Sequence, residues 1–331
     1  MAEHASKDIS SVIGVDVGAT KILVGCVGRD GTVLCRRRYA MKRENQTTAL
    51  NSIHEAIEDF MRAEGKGFSP SAMGVGLVGH VDAAAGIWRY WVNLPIHTPI
   101  PLAAQLNTRY HMPVVIDNDV QAATLAEMHL GVGRETEEFI YINIGTGVAA
   151  GIVCNGQLVR GVANYAGELG HMVVDPDGDL CPCGRHGCLE MIGSGGGLST
   201  SAQVRLADYP DSLLQDVART GQLSARDVFQ AAAAGDPLAE SLVERAVRNL
   251  GGALVNLLNL LNPEVIVFGG GTVRDGWLVE RLRECVTQAL SPAQDSLRTF
   301  ALSELPTDQV GLLGAATLAW TMGLGRKSPH A

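Results

Sequence analysis

One arrangement occurs twice in this chain and constrains its fold more than any other feature. Near the start, Val12-Ile13-Gly14-Val15-Asp16-Val17 runs into Gly18-Ala19-Thr20-Lys21, resumes over 22–27, and reaches the pair Asp30-Gly31 before Thr32-Val33-Leu34. Near the middle, Ile140-Tyr141-Ile142-Asn143-Ile144 runs into Gly145-Thr146-Gly147, resumes over 148–154, and reaches Asn155-Gly156 before Gln157-Leu158-Val159. Each copy reads as a strand, a glycine-bearing tight turn, a second strand and an Asp-Gly or Asn-Gly hairpin, whose type I′ turn needs positive φ at both central residues. The duplication predicts two related halves of an α/β protein facing one cleft. A length of 331 residues, about twice that of one average domain, accommodates two such halves.

The remaining periodicities fit this plan. Ile53, Ala56, Ile57 and Phe60 recur at helical spacing within 50–61, 72–78 reads as a strand, and 113–116 reads as another that ends at Asp117-Asn118-Asp119. Residues 121–130 then read as a helix rich in Ala and Leu. Leu242, Ala246, Leu250, Leu254, Leu257 and Leu261 predict a long helix over 237–261 that Pro263 stops. Val265-Ile266-Val267-Phe268 is a buried strand entering Gly269-Gly270-Gly271, and a small-residue helix over 311–322 closes the pattern.

Charge and composition exclude several classes of function. A net charge of −9 and a single short basic run, Arg36-Arg37-Arg38, argue against a nucleic-acid binder, whose affinity rests on clustered Lys and Arg. Residues 1–10 are polar, and nowhere do about 18 uncharged apolar residues run together, so no membrane span is expected and the location is expected to be cytoplasmic. Seven cysteines in a reducing compartment do not form a disulfide framework, yet Cys181, Cys183 and Cys188 crowd into one polar, glycine-rich stretch.

Chemistry concentrates in a few places. Glycines at the ends of strands let backbone N–H groups approach an anion, and there are three such places: Gly18-Ala19-Thr20-Lys21, Gly145-Thr146-Gly147 and Gly269-Gly270-Gly271. Neither P-loop spacing nor a GxGxxG followed by a helix is present. Asp16 is either a turn cap or a carboxylate that meets a nucleotide through Mg²⁺, because it would otherwise repel the phosphates. Asp119 stands where a strand gives way to a helix. It is either an N-cap or a general base for a hydroxyl that attacks phosphorus, with Asn118 holding a neighbouring hydroxyl. Three thiolates match tetrahedral zinc, the fourth ligand being His171 or His186, and such a closed site would be structural.

These ordered motifs resemble the ROK family of sugar kinases, within the actin-like, ribonuclease H-like ATPase superfamily. The resemblance runs from Ile13 to the final helix and rests on Asp16-Val17-Gly18-Ala19-Thr20, Asp117-Asn118-Asp119, Gly145-Thr146-Gly147, Gly167-Glu168-Leu169-Gly170-His171, the CxCGxxGCxE stretch from Cys181 to Glu190, and Gly269-Gly270-Gly271. It implies a two-lobed α/β fold with a zinc loop in the larger lobe. Residues 11–118 and a returning helix over 311–326 would form the small lobe, and 119–310 the large lobe with the zinc loop and a dimer surface.

The resemblance also implies roles. Asp119 would be the catalytic base for a sugar 6-hydroxyl, with Gly79, Asn93, Asn118, Glu168, His171 and Glu190 lining the sugar site. His171, Cys181, Cys183 and Cys188 would hold zinc, tying the Glu190 loop to the Glu168 segment. ATP and Mg²⁺ would lie against Asp16, Gly18, Ala19, Thr20, Lys21, Gly145, Thr146 and Gly147, with Gly269, Gly270 and Gly271 leaving space for adenosine. Two places depart from the commonest pattern: Ala19 replaces a frequent glycine, and Gly76-Leu77-Val78-Gly79-His80-Val81-Asp82 lacks the usual proline, so His80 and Trp88-Arg89-Tyr90-Trp91 bear on which sugar fits. Packing is the alternative role for Trp88, Tyr90 and Trp91.

Glucokinase is the expected activity. Alternative acceptors are N-acetylmannosamine, N-acetylglucosamine, mannose, fructose and allose. Family repressors carry a winged-helix domain ahead of the first glycine turn, which the short stretch before Ile13 does not accommodate. A homodimer is expected, with a tetramer as the alternative.

Overall fold

A computed structural model describes residues 11–64, 67–90, 98–290 and 299–323, which divide into two compact units. The first unit runs to Arg134 and takes in Arg160–Tyr165 and the chain from Asp308. The second holds Glu135–Val159 and Ala166–Thr307.

The first unit begins with β1 (Ser11–Val17), β2 (Lys21–Gly28) and β3 (Val33–Ala40), followed by α1 (Gln46–Ala63) and β4 (Pro70–Leu77). A hairpin of β5 (His80–Asp82) and β6 (Ile87–Tyr90), α2 (Leu102–Tyr110), β7 (Val114–Asn118) and α3 (Asp119–Leu130) complete that stretch. The sheet order is β3-β2-β1-β4-β7, antiparallel across the first three strands and parallel from β1 onward. Strand β1 is buried on both faces, which its nearly unbroken apolar run requires. Strand β3 is an edge, and Arg36-Arg37-Arg38 blunt it against pairing with another chain.

The second unit repeats the plan. It contains β8 (Phe139–Ile144), β9 (Val148–Cys154), β10 (Gln157–Val159), α4 (Leu189–Gly193), α5 (Gly195–Arg205), α6 (Leu214–Thr220), α7 (Ala225–Ala233), α8 (Pro237–Leu261), β11 (Val265–Gly269), α9 (Trp277–Ala289) and β12 (Thr299–Leu302). Its sheet order, β10-β9-β8-β11-β12, is the first order over again with the same parallel and antiparallel pairs. Helix α8 has the expected bounds. Asp236 caps it by accepting from the Ala239 amide, Pro237 needs no amide partner in the first turn, and Asn262 ends it at φ 45°. Its stripe from Leu242 to Leu258 packs into the core that also holds Ile142, Leu198 and Phe268.

The two hairpins differ in detail. Asn155 and Gly156 both have positive φ, as a type I′ turn demands, but in the first copy only Gly31 does. There the loop is wider: the Gly28 amide donates to Thr32, and the Asp30 carboxylate accepts from the Thr32 amide and hydroxyl. The predicted type I′ turn at Asp30-Gly31 is therefore corrected to a carboxylate-capped loop.

The last helix, α10 (Val310–Leu318), belongs to the first unit and ends in a wide helical turn over Ala319–Gly323. It packs on β1, β4 and α3 with small residues. A Cβ at Gly74 would lie 1.8 Å from the Ala315 carbonyl oxygen, and one at Gly14 would lie 2.7 Å from that of Leu312. Only glycine permits strand and helix backbones to approach so closely. The expected end of this helix, 324–326, lies outside the described residues.

Candidate active site

In the first unit, β1 delivers Asp16 to the end of the sheet, and the turn behind it closes by donation from the Gly18 amide to the Lys21 carbonyl at 2.9 Å. Asp16 is half-buried, and desolvation raises its carboxyl above the ordinary range, with nearby Lys21 only partly opposing this. A Cβ at Gly311 would stand 2.5 Å from the carboxylate carbon, so the start of α10 lies directly against it. A carboxylate with little solvent around it is costly to ionise unless a cation joins it. Ala19 and Thr20 form the turn itself, Thr20 being exposed.

Strand β7, separated from β1 by β4, leads into Asp117-Asn118-Asp119 at the same end of the sheet. The N-cap of α3 is Asn118, not Asp119: its Oδ1 accepts from the Val120 amide at 2.9 Å and the Gln121 amide at 3.3 Å. Its Nδ2 donates to the Gly79 carbonyl at 3.0 Å, which ties Gly79, itself at φ 85°, to the head of the helix. Asp119 is the first helical residue, with Oδ1 accepting from the Val120 amide at 3.0 Å.

Asp117 is fully buried and therefore needs a complete set of partners. The Arg160 guanidinium pairs with Oδ2, while the Asn164 amide donates to Oδ1 at 3.2 Å and to the Val81 carbonyl at about 2.8 Å. His80 completes this anchorage. Its Nε2 lies 2.6 Å from the Ala163 carbonyl, which can only accept, so Nε2 carries the hydrogen; its ring stacks on Tyr165 at 4.2 Å. Trp88 is a core residue that donates to the Val78 carbonyl, and Tyr90 is exposed. Asn93 and Trp91 lie outside the described residues.

In the second unit, the turn Gly145-Thr146-Gly147 joins β8 to β9, and its carbonyls are held from outside. The Gly195 amide donates to Gly145 at 2.8 Å, the Gly196 amide to Thr146 at 3.1 Å, and the Thr272 hydroxyl to Gly145 at 3.2 Å. Ser194 caps α5 by accepting from the Gly197 amide. Glycines are required here, because a Cβ at Gly196 would stand 2.6 Å from the Thr146 carbonyl oxygen. The turn opens on a cavity of about 1240 Å³, lined also by Ser199, Phe229, Gly271, Arg274 and Trp277.

Of Gly269, which ends β11, and Gly270 and Gly271 after it, only Gly271 lines that cavity; a Cβ at Gly269 would meet the Tyr141 hydroxyl, and one at Gly270, at φ 98°, would meet the Ile144 carbonyl. Their role is packing on β8. Sequence reading missed Gly195, Gly196, Phe229 and Trp277. The run Ser194-Gly195-Gly196-Gly197, an N-cap followed by glycines, was the available signal for the first two.

The thiol cluster resolves the choice of histidine. His171, Cys181, Cys183 and Cys188 bring their donor atoms within 4.8 Å of one another, whereas His186 Nδ1 turns to the Gly178 carbonyl at 3.0 Å. A zinc ion with ligands at about 2.3 Å sets tetrahedral donors about 3.8 Å apart. The His171 Nδ1 to Cys181 contact, at 3.8 Å, and the Cys183 to Cys188 contact, at 3.5 Å, suit that spacing. Burial, with the adjacent thiols, pushes the Cys188 thiol up to about 12. Burial opposes ionisation of Cys183 too, but the Arg185 amide and the other sulfurs hold that thiol below its ordinary value. His171 Nε2 faces away from the sulfurs, 3.8 Å from Glu168.

With this geometry in view, similarity to known proteins is informative. A profile of the ROK family matches residues 12–322. The glucokinase of Thermotoga maritima is 32% identical over 310 residues, covering 93% of this chain and 96% of that one. That of Halalkalibacterium halodurans is 33% identical over 311 residues, covering 92% and 94%. The crystal structure of a ROK family glucokinase from Streptomyces griseus in complex with glucose and AMPPNP superposes with a TM-score of 0.78 at 30% identity, covering 93% of this chain and 99% of that one. A profile match over nearly the whole chain, and relatives of this identity and coverage, place the chain in the ROK family, with its actin-like ATPase fold.

Proposed function

We propose that this protein is an ATP-dependent hexose kinase whose preferred acceptor is glucose. The observation that carries the reading is the full-length similarity to glucokinases, one of them solved with glucose and AMPPNP. The residues supply matching chemistry. Asp119 accepts the proton of the sugar 6-hydroxyl as that oxygen bonds to the γ-phosphorus of ATP, while the bond from phosphorus to the β,γ-bridging oxygen breaks and ADP leaves. Gly79, Asn93, Asn118, Glu168, His171 and Glu190 bind the acceptor.

The turns Gly18-Ala19-Thr20-Lys21 and Gly145-Thr146-Gly147 receive the phosphates, with the Gly18 and Gly145 amides spent on closing the turns themselves, and the cavity walled by Gly271, Phe229 and Trp277 receives adenosine, with Gly269 and Gly270 packing behind Gly271 on β8. Asp16 fits a Mg²⁺ that neutralises charge on the transferring phosphoryl group. His171, Cys181, Cys183 and Cys188 fit a structural zinc that fixes the Glu168 and Glu190 segments before sugar binds. The protein is read as a cytoplasmic homodimer acting in glycolysis. Among the described residues no helix is long and apolar enough to cross a membrane.

A coupled ADP-release assay with Mg-ATP and a panel of glucose, mannose, fructose, allose, N-acetylglucosamine and N-acetylmannosamine tests this. Preference for glucose is expected. Preference for an N-acetylated sugar would overturn the acceptor while keeping the mechanism, and no turnover of any sugar would overturn the kinase reading.

A further inference from the structure

Glu190 occupies a position that acceptor binding alone does not explain. Its Oε2 accepts from the Val148 amide at 3.2 Å, and Val148 is the residue directly after Gly145-Thr146-Gly147. The carboxylate threads between two glycines. A Cβ at Gly147 would stand 2.5 Å from Oε2, and one at Gly170, between Glu168 and His171, would stand 3.2 Å from it. The Glu190 carbonyl in turn accepts from the Ser194 amide, at the cap of the helix whose Gly195 and Gly196 amides hold the turn. One side chain thus touches the donor turn and the acceptor segment, and its backbone leads into the helix that braces that turn.

We propose that Glu190 is a positioning residue that couples the two substrates: by holding the Val148 amide it keeps the donor turn in its phosphate-receiving shape, and hexose binding at the same carboxylate stiffens that hold. This rests on the kinase reading above. Ordering the carboxylate is a cost that whichever substrate binds first has already met, so each substrate tightens the other. The linkage is reciprocal, and typical couplings of this kind run from about 5-fold to 150-fold.

The test is calorimetry of Mg-AMPPNP and glucose, each alone and in the presence of the other, on wild type, Glu190→Gln and Glu190→Ala, with amide hydrogen exchange at Val148. Loss of one charge-assisted hydrogen bond predicts AMPPNP binding about tenfold weaker in sugar-free Glu190→Ala, with the coupling abolished. Glu190→Gln keeps an acceptor oxygen and should hold sugar-free AMPPNP affinity within about threefold of wild type while glucose affinity falls. A residue that only binds sugar would leave sugar-free nucleotide affinity unchanged, and that result overturns the proposal.

If Glu190→Ala does not fold, wild type and Glu190→Gln decide the matter. Glucose must slow exchange at the Val148 amide in wild type, and failure to do so overturns the coupling. A wild type that binds both ligands independently defeats only this proposal, whereas a wild type that binds no nucleotide defeats the kinase reading and the coupling with it.

Discussion

The two copies of the strand–turn–strand unit share strand order and register yet carry different charge. Asp16 pairs across β1 and β4 with Gly76, and the equivalent pair in the second copy is Asn143 with Gly269. A carboxylate in one copy is thus an amide in the other, on the same strand and against the same kind of glycine. The strand-to-helix junction differs likewise: β7 leads into Asp117-Asn118-Asp119, whereas β12 leads into Ser303-Glu304-Leu305, so the Asp-Asn-Asp triplet has no counterpart there. The first copy holds Asp16 and Asp119, the carboxylates proposed above to meet Mg²⁺ and to take the proton. The second offers neutral backbone donors, braced by the glycines of α5.

The largest effect should come from removing the proton acceptor that only the first copy has. Asp119→Asn is expected to lower kcat by about a thousandfold, the usual range for a lost general base, with the Kd for glucose within several-fold of wild type; full activity in steady-state assays would remove Asp119 from the mechanism.

Asp16→Asn makes the first turn resemble the second, and should cost roughly a hundredfold in kcat with a weakened response to Mg²⁺. The same change should raise Tm in the absence of nucleotide. Burial raises the Asp16 carboxyl, so its protonated form is favoured in the folded state, and stability is lost as pH rises from the ordinary carboxyl value through the raised one. The gain over wild type should therefore grow as pH rises above the ordinary carboxyl value and shrink toward about pH 4. Thermal melts at several pH values check the sign, and a gain that grew on acidification would contradict the burial argument.

A smaller effect is expected at the thiol cluster, which has no counterpart in the first copy. Cys183→Ser should release zinc, measured by metal analysis, raise KM for glucose several-fold, and lower Tm by several degrees. Because the thiols must ionise to bind metal, wild-type zinc content should fall as pH is lowered.

The smallest effects should separate the glycines at the end of β11. Gly271→Ala adds a methyl into open space and should leave Tm within about a degree, while Gly269→Ala, which would meet the Tyr141 hydroxyl at 2.2 Å, should lower it clearly. Equal losses would mean that the cavity assignment of Gly271 is wrong.

The duplication was legible in sequence because both copies alternate long β-branched runs with fixed turn signals, and α8 was legible because a capping Asp236, Pro237 and a six-turn apolar stripe agree. The helices α4 to α7 were not, since each is short and its burial depends on neighbours far along the chain. The Asp30 loop defeated turn rules because its carboxylate, rather than backbone φ, closes it. Sequence left His171 and His186 open as metal ligands, and only their opposite orientations separate them. Spacing also had no means of showing that Arg160 would meet Asp117, 43 residues earlier, or that Asn118 would spend its carbonyl oxygen on capping.

The late helix α10 has a consequence for the order in which the protein is made. Its small residues complete the packing of β1 and β4, and Gly311 comes to rest against Asp16. A ribosome therefore releases strands β1 to β7 long before the element that covers them exists, whereas every strand of the second sheet has emerged by the time α10 begins. The strands of the second unit can pair while the first sheet still lacks its cover, and Asp16 gains its final surroundings only when α10 arrives.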